Sequence, residues 1–428
     1  MRLTDVEQAM LAGDLGRGVQ KAMEILTALG RIYGAEDMVP VTSVQVAGVS
    51  YKNLGEAGLE FLAEWAAQGA RVRVPTTLNP AGLDLQRWDE LGFDADFADR
   101  QARVIQAFSD MGIRTTCTCT PYFVGNLPEP GDHIAWAESS AVSFANSVLG
   151  ARTNREGGPS ALAAAITGRT PYYGLHLSEN RRAQLIVEVR CPVQSIADFG
   201  ALGAMVGRIA RNRVPYFRAS SSGFWVPGSE LPASSSEPKT PNSKPQTRVD
   251  LLKGLGAAMA ASGAVALYHI EGITPEANEP DIIAPDAETI VIESLEEGYA
   301  ALDSGADDTI DLVWIGCPHA SLDELTQVIE LLAGRRIQIA LWVTMAREVR
   351  AEAEKAGLVE ALESLGGRVV ADTCLVVAPV KELGFRCMAT PSGKGAYYAP
   401  SHSGLAVRYG SLEACIQAAV TGQWQVGD

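Results

Sequence analysis

The chain has 428 residues, 47% of them hydrophobic and 20% charged, which places it among ordinary globular proteins large enough for two or three packed units. A formal net charge of −16 excludes the broad cationic surface that general nucleic-acid binding needs, but leaves room for a small basic pocket that holds an anion. No run approaches the ~20 apolar residues of a membrane span, and the first segment, MRLTDVEQAMLAGDLGRG, lacks the apolar core of a signal peptide. With seven cysteines scattered along the sequence without a pairing pattern, the expected setting is a reducing compartment, the cytoplasm.

In chain order, VEQAMLAG and GVQKAMEILTALGRIYG space their apolar residues three and four apart and predict amphipathic helices, while VTSVQVAGV alternates as a strand does. The alternation continues through helix GEAGLEFLAEWAAQG, strand ARVRVP, helix FADRQARVIQAFSDMG, strand IRTTCTC, helix SALAAAITG and strand AQLIVEV. From Pro227 to Arg248 the composition changes to five prolines and five serines with hardly an aliphatic side chain, which predicts an exposed loop or linker. Beyond it come helix LLKGLGAAMAASG, strand AVALYHI, helix LDELTQVIELLAG, strand IQIALWVT, helix AREVRAEAEKAGLVEALESLGG and strand RVVADTCLVV. This is the rhythm of an α/β protein with largely parallel sheets. The simplest partition is an amino-terminal α/β lobe over residues 1–226, the Pro/Ser-rich segment at 227–248, and a second α/β lobe over 249–428.

Three cysteines fall where strands are expected to end and loops to begin: Cys119 before CTPYFVGNLP, Cys317 in DLVWIGCPHAS and Cys374 in VVADTCLVVAP. Strand carboxyl ends are where open α/β sheets bind ligands, so the three could hold an iron–sulfur cluster and leave one iron without a protein ligand. Buried cysteine is also a common small hydrophobe, and Cys117, two residues before Cys119, is a rival ligand. Cys191, Cys387 and Cys415 read as core or incidental residues. His319, two residues beyond Cys317, is the one of five histidines expected near a metal centre, with loop capping as its plainer role.

Polar residues gather between Ala135 and Leu177. Glu138, Ser139 and Ser140 stand near the start of an expected helix, and Arg152, Asn154 and Arg155 lie in a turn before a helix that begins near Pro159. A guanidinium clamps carboxylate or phosphate through a planar fork, although surface pairing with acids serves as well. Ser50, Tyr51, Lys52 and Asn53 occupy one post-strand turn, and Thr76, Thr77 and Asn79 another; for Asn79, turn chemistry is the better reading. Ser392 and Lys394 share the glycine-bearing loop TPSGKGAYY. That loop is no Walker A motif, because Met388 replaces the leading glycine and Gly395 the Ser or Thr. Nor is GDLGRG a dinucleotide fingerprint, since it lies between helical stretches.

The segments SVQVAGVSYKNLGEAGLEFL, RVPTTLNPAGLDL, CTCTPYFVGNLPEPGDHIAWAESSAVSFANSVLGARTNREGG, ITGRTPYYGLHL, ALYHIEGITPEA, WIGCPHAS and the SGK of TPSGKGAYY together resemble the aconitase X family, from the first helix nearly to the end. The resemblance implies an aconitase-like core of several three-layer α/β/α subdomains and a hydro-lyase activity on a small anionic hydroxy acid. It places Cys119, Cys317 and Cys374 at the family's iron–sulfur ligand positions, with a 4Fe–4S cluster expected and 2Fe–2S or mononuclear iron as alternatives. Family dehydrations act on cis-3-hydroxy-L-proline in many bacteria and on 5-phosphomevalonate in archaea, where the product is an anhydromevalonate phosphate. Members are built as one fused chain or as a large subunit with a separate small swivelling subunit, and this length matches the large subunit alone. The swivelling part of aconitase-like enzymes contributes an active-site serine.

For the mechanism, the base is expected to be a serine of the partner, with Ser392 and Ser140 as in-chain catalytic candidates, and Lys394 is expected to help fix the substrate's carboxylate and phosphate. Ser50, Lys52, Thr76, Glu138, Ser139, Arg152, Asn154 and Arg155 would line the substrate pocket. The chain departs from the family at Gln45, where histidine is expected, at Pro391, where asparagine is expected, and in the stretch Pro227 to Arg248. The CTCTPY and YKNLGEAG wording leans towards the two-subunit branch and phosphomevalonate. A rival of another class is a cluster-free α/β protein that only binds a small molecule.

Overall fold

The structure is a computed structural model and describes residues 1–218, 246–305 and 307–425. Its helices form where the spacing of apolar residues places them. Arg17–Ile32 buries one stripe, Val19, Ala22, Met23, Leu26 and Gly30, and Leu322–Leu332 buries Leu325, Val328 and Leu332. Each Val, Leu or Met among them contributes roughly 1.5–3 kcal/mol by leaving water. Helix starts carry their own stop signals for the preceding loop: Thr4, Ser195 and Ser321 each close a capping box with an acid three residues on. The single long helix expected over AREVRAEAEKAGLVEALESLGG is two, Arg347–Lys355 and Leu358–Ser364, because Gly357 between them adopts φ 75°.

Three of the four sheets are wholly parallel. The first orders Thr76–Leu78, Val44–Val46 and Ala135–Trp136. The second orders His269–Ile270, Pro215–Arg218, Ala183–Val189 and Ile283–Ile292. The third has five strands, in the order Arg368–Ala371, Ala340–Met345, Leu312–Ile315, Cys387–Thr390 and Ala406–Tyr409. A short antiparallel pair, Met38–Pro40 with Arg169–Pro171, closes the edge of the amino-terminal unit. Helices pack between and around these sheets, which bears out an α/β fold with largely parallel strands.

Several expected strands are shorter or displaced. ARVRVP is irregular, and pairing begins just after it at Thr76. IRTTCTC contributes one bridge, Arg114 with Thr77, and then runs as loop with Cys117 at φ 44°, so Cys119 does not follow a regular strand. AVALYHI pairs over His269–Ile270 alone.

The two-lobe partition does not coincide with a division between sheets. Pro215–Arg218 and His269–Ile270 stand on either side of residues 227–248 yet are neighbours in one parallel sheet, and helix Ile196–Ala210 packs along Gln246–Gly263. Residues 227–245 of the Pro/Ser-rich segment lie outside the described residues, whereas its last three, Gln246 to Arg248, begin that helix. The same helix also meets Gly393 closely, since a Cβ on Gly200 would stand 3.0 Å from the Gly393 nitrogen. That contact seats the short helix Gly393–Tyr398, and with it Lys394.

Candidate active site

The amino-terminal and five-stranded units meet at a buried ion pair. Glu138 is the N-cap of helix Ser139–Phe144, its side chain accepting from the Ser140 backbone. Lys394 comes from the first turn of Gly393–Tyr398, whose N-cap is Ser392. The Lys394 ammonium donates to Glu138 Oε1 and, at 3.1 Å, to Ser140 Oγ. Ser140 Oγ in turn donates to Glu138 Oε1 at 3.0 Å, and Asn79 Nδ2 donates to Oε2 at 2.7 Å. Burial would raise the Glu138 carboxyl, but the Lys394 charge and the hydrogen bonds from Lys394 and Asn79 outweigh it and hold the group at about 2. Burial likewise works against the Lys394 ammonium, and Glu138 followed by the thiols of Cys317 and Cys119 keeps it charged. The site therefore holds a permanent cation in a dry setting.

Three buried thiols feel the charges of the pair. Burial raises Cys119, Cys317 and Cys374, the last to about 12, while Lys394 pulls all three down. Cys119 also feels Cys374 and Cys317, so the three share one electrostatic neighbourhood. Cys317 follows Gly316, whose φ of 95° brings it so close to the Thr344 carbonyl that no Cβ fits, and the Cys317–Pro318 bond is cis. Cys374 lies three residues past the strand Arg368–Ala371. Cys117 does not join them: it packs in the amino-terminal core, and the charges it feels are Asp372 and Arg347. Cys191, Cys387 and Cys415 are buried elsewhere in the hydrophobic cores. All seven cysteines are free thiols.

His319 ties these loops together. Its backbone N–H donates to Cys119 Sγ at 3.1 Å, its Nδ1 lies 2.9 Å from Thr118 Oγ1, and its Nε2 lies 2.8 Å from the Thr373 carbonyl. Burial depresses this imidazole to about 4, so it is neutral at ordinary pH.

The other expected pocket residues divide into two groups. Ser50 and Lys52 reach the loop that carries Cys374. Ser50 Oγ donates to the Val377 carbonyl at 2.9 Å, and Lys52 Nζ donates to the carbonyls of Ala378 and His402 at 2.9 and 3.0 Å. Ser139 stands beside Glu138. Ser392 Oγ donates to the Cys317 carbonyl and accepts from Gly395 N at 3.0 Å, so its hydroxyl is committed to holding the Cys317 turn. Thr76 Oγ1 is spent on the Val74 carbonyl. Arg152 donates to the His176 carbonyl and to Ser178, and Asn154 donates to the Tyr173 carbonyl and accepts from Leu175 N. Arg155 is exposed and reaches only the Ala260 carbonyl, at 3.5 Å. Arg152 and Asn154 organise the 173–178 loop; no hydrogen bond in the described structure connects them or Arg155 to Glu138 and Lys394.

Asn79, read from the sequence as a turn residue, belongs to the site, and its Oδ1 is buried without a partner. Tyr122 OH and Thr373 Oγ1, on the segments that carry Cys119 and Cys374, are orphaned in the same way, as is Gln45 Oε1, whose amide donates to the Thr118 carbonyl at 2.9 Å. Buried polar atoms seldom remain unpaired unless something else is meant to meet them. The signal that could have found Asn79 was its position just beyond strand Thr76–Leu78, in line with the first turn after Val44–Val46.

Residues 1–179 match the family described as aconitase X first domain, 183–299 the aconitase X second domain and 310–421 the aconitase X third domain. The chain is 50% identical over 409 residues to the phosphomevalonate dehydratase large subunit of Methanothermobacter thermautotrophicus, covering 95% of this chain and 96% of that protein. It is 36% identical over 439 residues to the cis-3-hydroxy-L-proline dehydratase of Pseudomonas aeruginosa, covering 100% of this chain and 71% of that protein. The crystal structure of Thermococcus kodakaraensis aconitase X in its holo-form superposes with a TM-score of 0.85 at 47% identity, over 98% of this chain and all of that one.

Proposed function

The chain belongs to the aconitase X family, and on that premise we propose that it is the large subunit of a phosphomevalonate dehydratase, a hydro-lyase that removes water from 5-phosphomevalonate. The observation that carries the chemistry is the buried Glu138–Lys394 pair, whose charges are felt by Cys119, Cys317 and Cys374. The relatives support this substrate: those named for phosphomevalonate align nearly end to end with this chain, whereas the hydroxyproline dehydratase is longer, with 71% of its length covered. The same names support a separate small subunit as partner. No described helix is long and apolar enough to cross a membrane, and we place the enzyme in the cytoplasm, where its seven free thiols would stay reduced.

The residues fit an iron–sulfur cluster. Three buried thiols each feel the Lys394 charge, and orphaned polar atoms lie on the segments that carry Cys119 and Cys374. Among the described residues no three His, Cys, Asp or Glu side chains are arranged to share a single ion, and a cluster asks instead that each thiolate take its own iron. Cys119, Cys317 and Cys374 would hold a 4Fe–4S cluster, whose remaining iron would supply a Lewis acid for the departing hydroxyl.

The chain's own groups do the rest. Two of the three Lys394 protons are placed by Glu138 and Ser140, and the third has no protein acceptor among the described residues, so it is available to the substrate carboxylate. Glu138 is ionised at rest and keeps Lys394 charged and oriented, while Asn79 fixes Glu138 and offers Oδ1 to the substrate. Ser140 Oγ is the in-chain group best placed to relay the proton lost beside the carboxylate: it takes that proton as its own O–H proton passes to Glu138 Oε1, and the Lys394 contact stabilises negative charge on the oxygen during the transfer. Lys52, held by two carbonyls, keeps one proton for an anionic group near the Cys374 loop. Ser392 positions the Cys317 turn.

The test is anaerobic co-expression with the small subunit, followed by visible and EPR spectra and paired dehydration assays on 5-phosphomevalonate and cis-3-hydroxy-L-proline. A cluster spectrum with turnover of the phosphorylated substrate alone is expected. Turnover of hydroxyproline alone would reassign the substrate, and a folded complex that stays iron-free and inactive after reconstitution would overturn the enzyme reading.

A further inference from the structure

We propose that His319 is the positioning residue that sets the three cysteine loops in register before any cluster is present. The proposal rests on the cluster reading above but concerns the protein's own hydrogen bonds. Cys119, Cys317 and Cys374 arrive on segments far apart in sequence, and each segment is joined to His319. Cys317 lies two residues upstream in the same turn. The His319 backbone N–H meets Cys119 Sγ, the ring Nδ1 meets the hydroxyl of Thr118 beside Cys119, and the ring Nε2 meets the carbonyl of Thr373 beside Cys374. A carbonyl can only accept, so Nε2 carries the proton and Nδ1 accepts from the Thr118 hydroxyl. The turn itself is anchored from behind, because Lys253 Nζ donates to the His319 carbonyl at 3.1 Å.

One wholly buried imidazole thus uses both ring nitrogens and its backbone on the chain that presents the ligands, and none of these atoms faces solvent. Ligand sites lose loading when the residues that orient their ligands are removed, by roughly 10–100-fold in metal affinity for comparable supporting groups. Loops joined through one side chain have the most to lose.

The two ring nitrogens can be separated by substitution. The Asn side chain reaches the place of Nδ1, and that of Gln the place of Nε2. In the full chain without iron, alkylation of each cysteine is followed by mass spectrometry, with Cys117, Cys191, Cys387 and Cys415 as internal references for global opening. His319→Gln, which keeps the Thr373 bond, should speed labelling of Cys119 by roughly tenfold, the scale of one lost hydrogen bond, and leave Cys374 near the wild-type rate. His319→Asn should reverse that preference. His319→Ala should free both, and should bind less iron on reconstitution with an altered EPR line shape. Thr118→Val leaves the histidine in place and should speed Cys119 alone, which keeps the test decisive if a His319 variant fails to fold.

Equal labelling of Cys119 and Cys374 across the folded variants, or wild-type rates in His319→Ala, would overturn the proposal. A wild-type chain that takes up no iron would remove the cluster reading but leave the labelling pattern to judge the clamp by itself.

Discussion

Lys253 and Lys394 are both buried lysines paired with carboxylates, and their surroundings separate structure from function. Lys253 donates to Glu324 Oε2 at 2.5 Å and to the His319 carbonyl at 3.1 Å, and forms an ion pair with Asp250 Oδ1 at 2.8 Å. It joins helix Gln246–Gly263 to the start of Leu322–Leu332. Lys394 pairs with one carboxylate and one hydroxyl and, among the described residues, keeps a third proton uncommitted. A buried lysine held between two carboxylates and a carbonyl is a fastener. One left open in a dry pocket is prepared for a ligand that brings the missing acceptor.

The largest effect should come from Lys394. Lys394→Met strands the Glu138 charge, which should cost about 3–5 kcal/mol of stability in denaturant unfolding and lower turnover by ~10²–10³ or more. Ser140→Ala should leave stability nearly unchanged and reduce kcat by roughly 10² or more, the usual contribution of a proton-transfer group. If its kcat stays within a few-fold, the proton goes to another group, with a serine from the small subunit next in line.

The fastener predicts a different outcome. Lys253→Met should destabilise on the same ~3–5 kcal/mol scale, because it leaves two carboxylates buried together. The triple replacement Lys253→Met, Asp250→Asn and Glu324→Gln should recover most of that loss and hold turnover within about tenfold of wild type, since a buried ion cluster can often be replaced by neutral groups at small cost. A triple variant as inactive as Lys394→Met would erase the distinction between the two lysines.

The smallest effects are those of pH. Glu138 is depressed from 4.5 to about 2, so the stability it contributes is present above about 4.5 and lost as pH falls from there towards 2. Glu324 is raised by burial and by Asp250, so the folded state binds its proton first. Its penalty is present at neutral pH and is relieved as pH falls towards the ordinary carboxylate value. Melting temperature against pH should lose the upper feature in Glu324→Gln and the lower one in Glu138→Gln.

Much of the site was legible from residue type. Glu138, Ser139 and Ser140 stand at a helix start, as their spacing implied, and Lys394 follows a glycine in the first turn of another helix. Arg152 and Asn154 hold backbone carbonyls in this structure for a physical reason. A guanidinium or amide that suits an anion suits a backbone carbonyl equally, and the 173–178 loop supplies those carbonyls first. Asn79 is the opposite case, since Asn after a strand is ordinary turn chemistry until a carboxylate from another segment comes within 2.7 Å.

By itself the sequence determined what periodicity and resemblance carry: an α/β chain with largely parallel sheets, the aconitase X family, and the three cysteines singled out from seven. Tertiary structure alone decided which polar groups share a pocket, that the middle sheet draws strands from both sides of residues 227–248, and that His319 joins the cysteine loops. Local patterns are written in neighbours three or four residues apart. The Glu138–Lys394 pair spans 256 positions and the His319–Thr118 bond 201, and contacts at such separations exist only after the helices and sheets have packed.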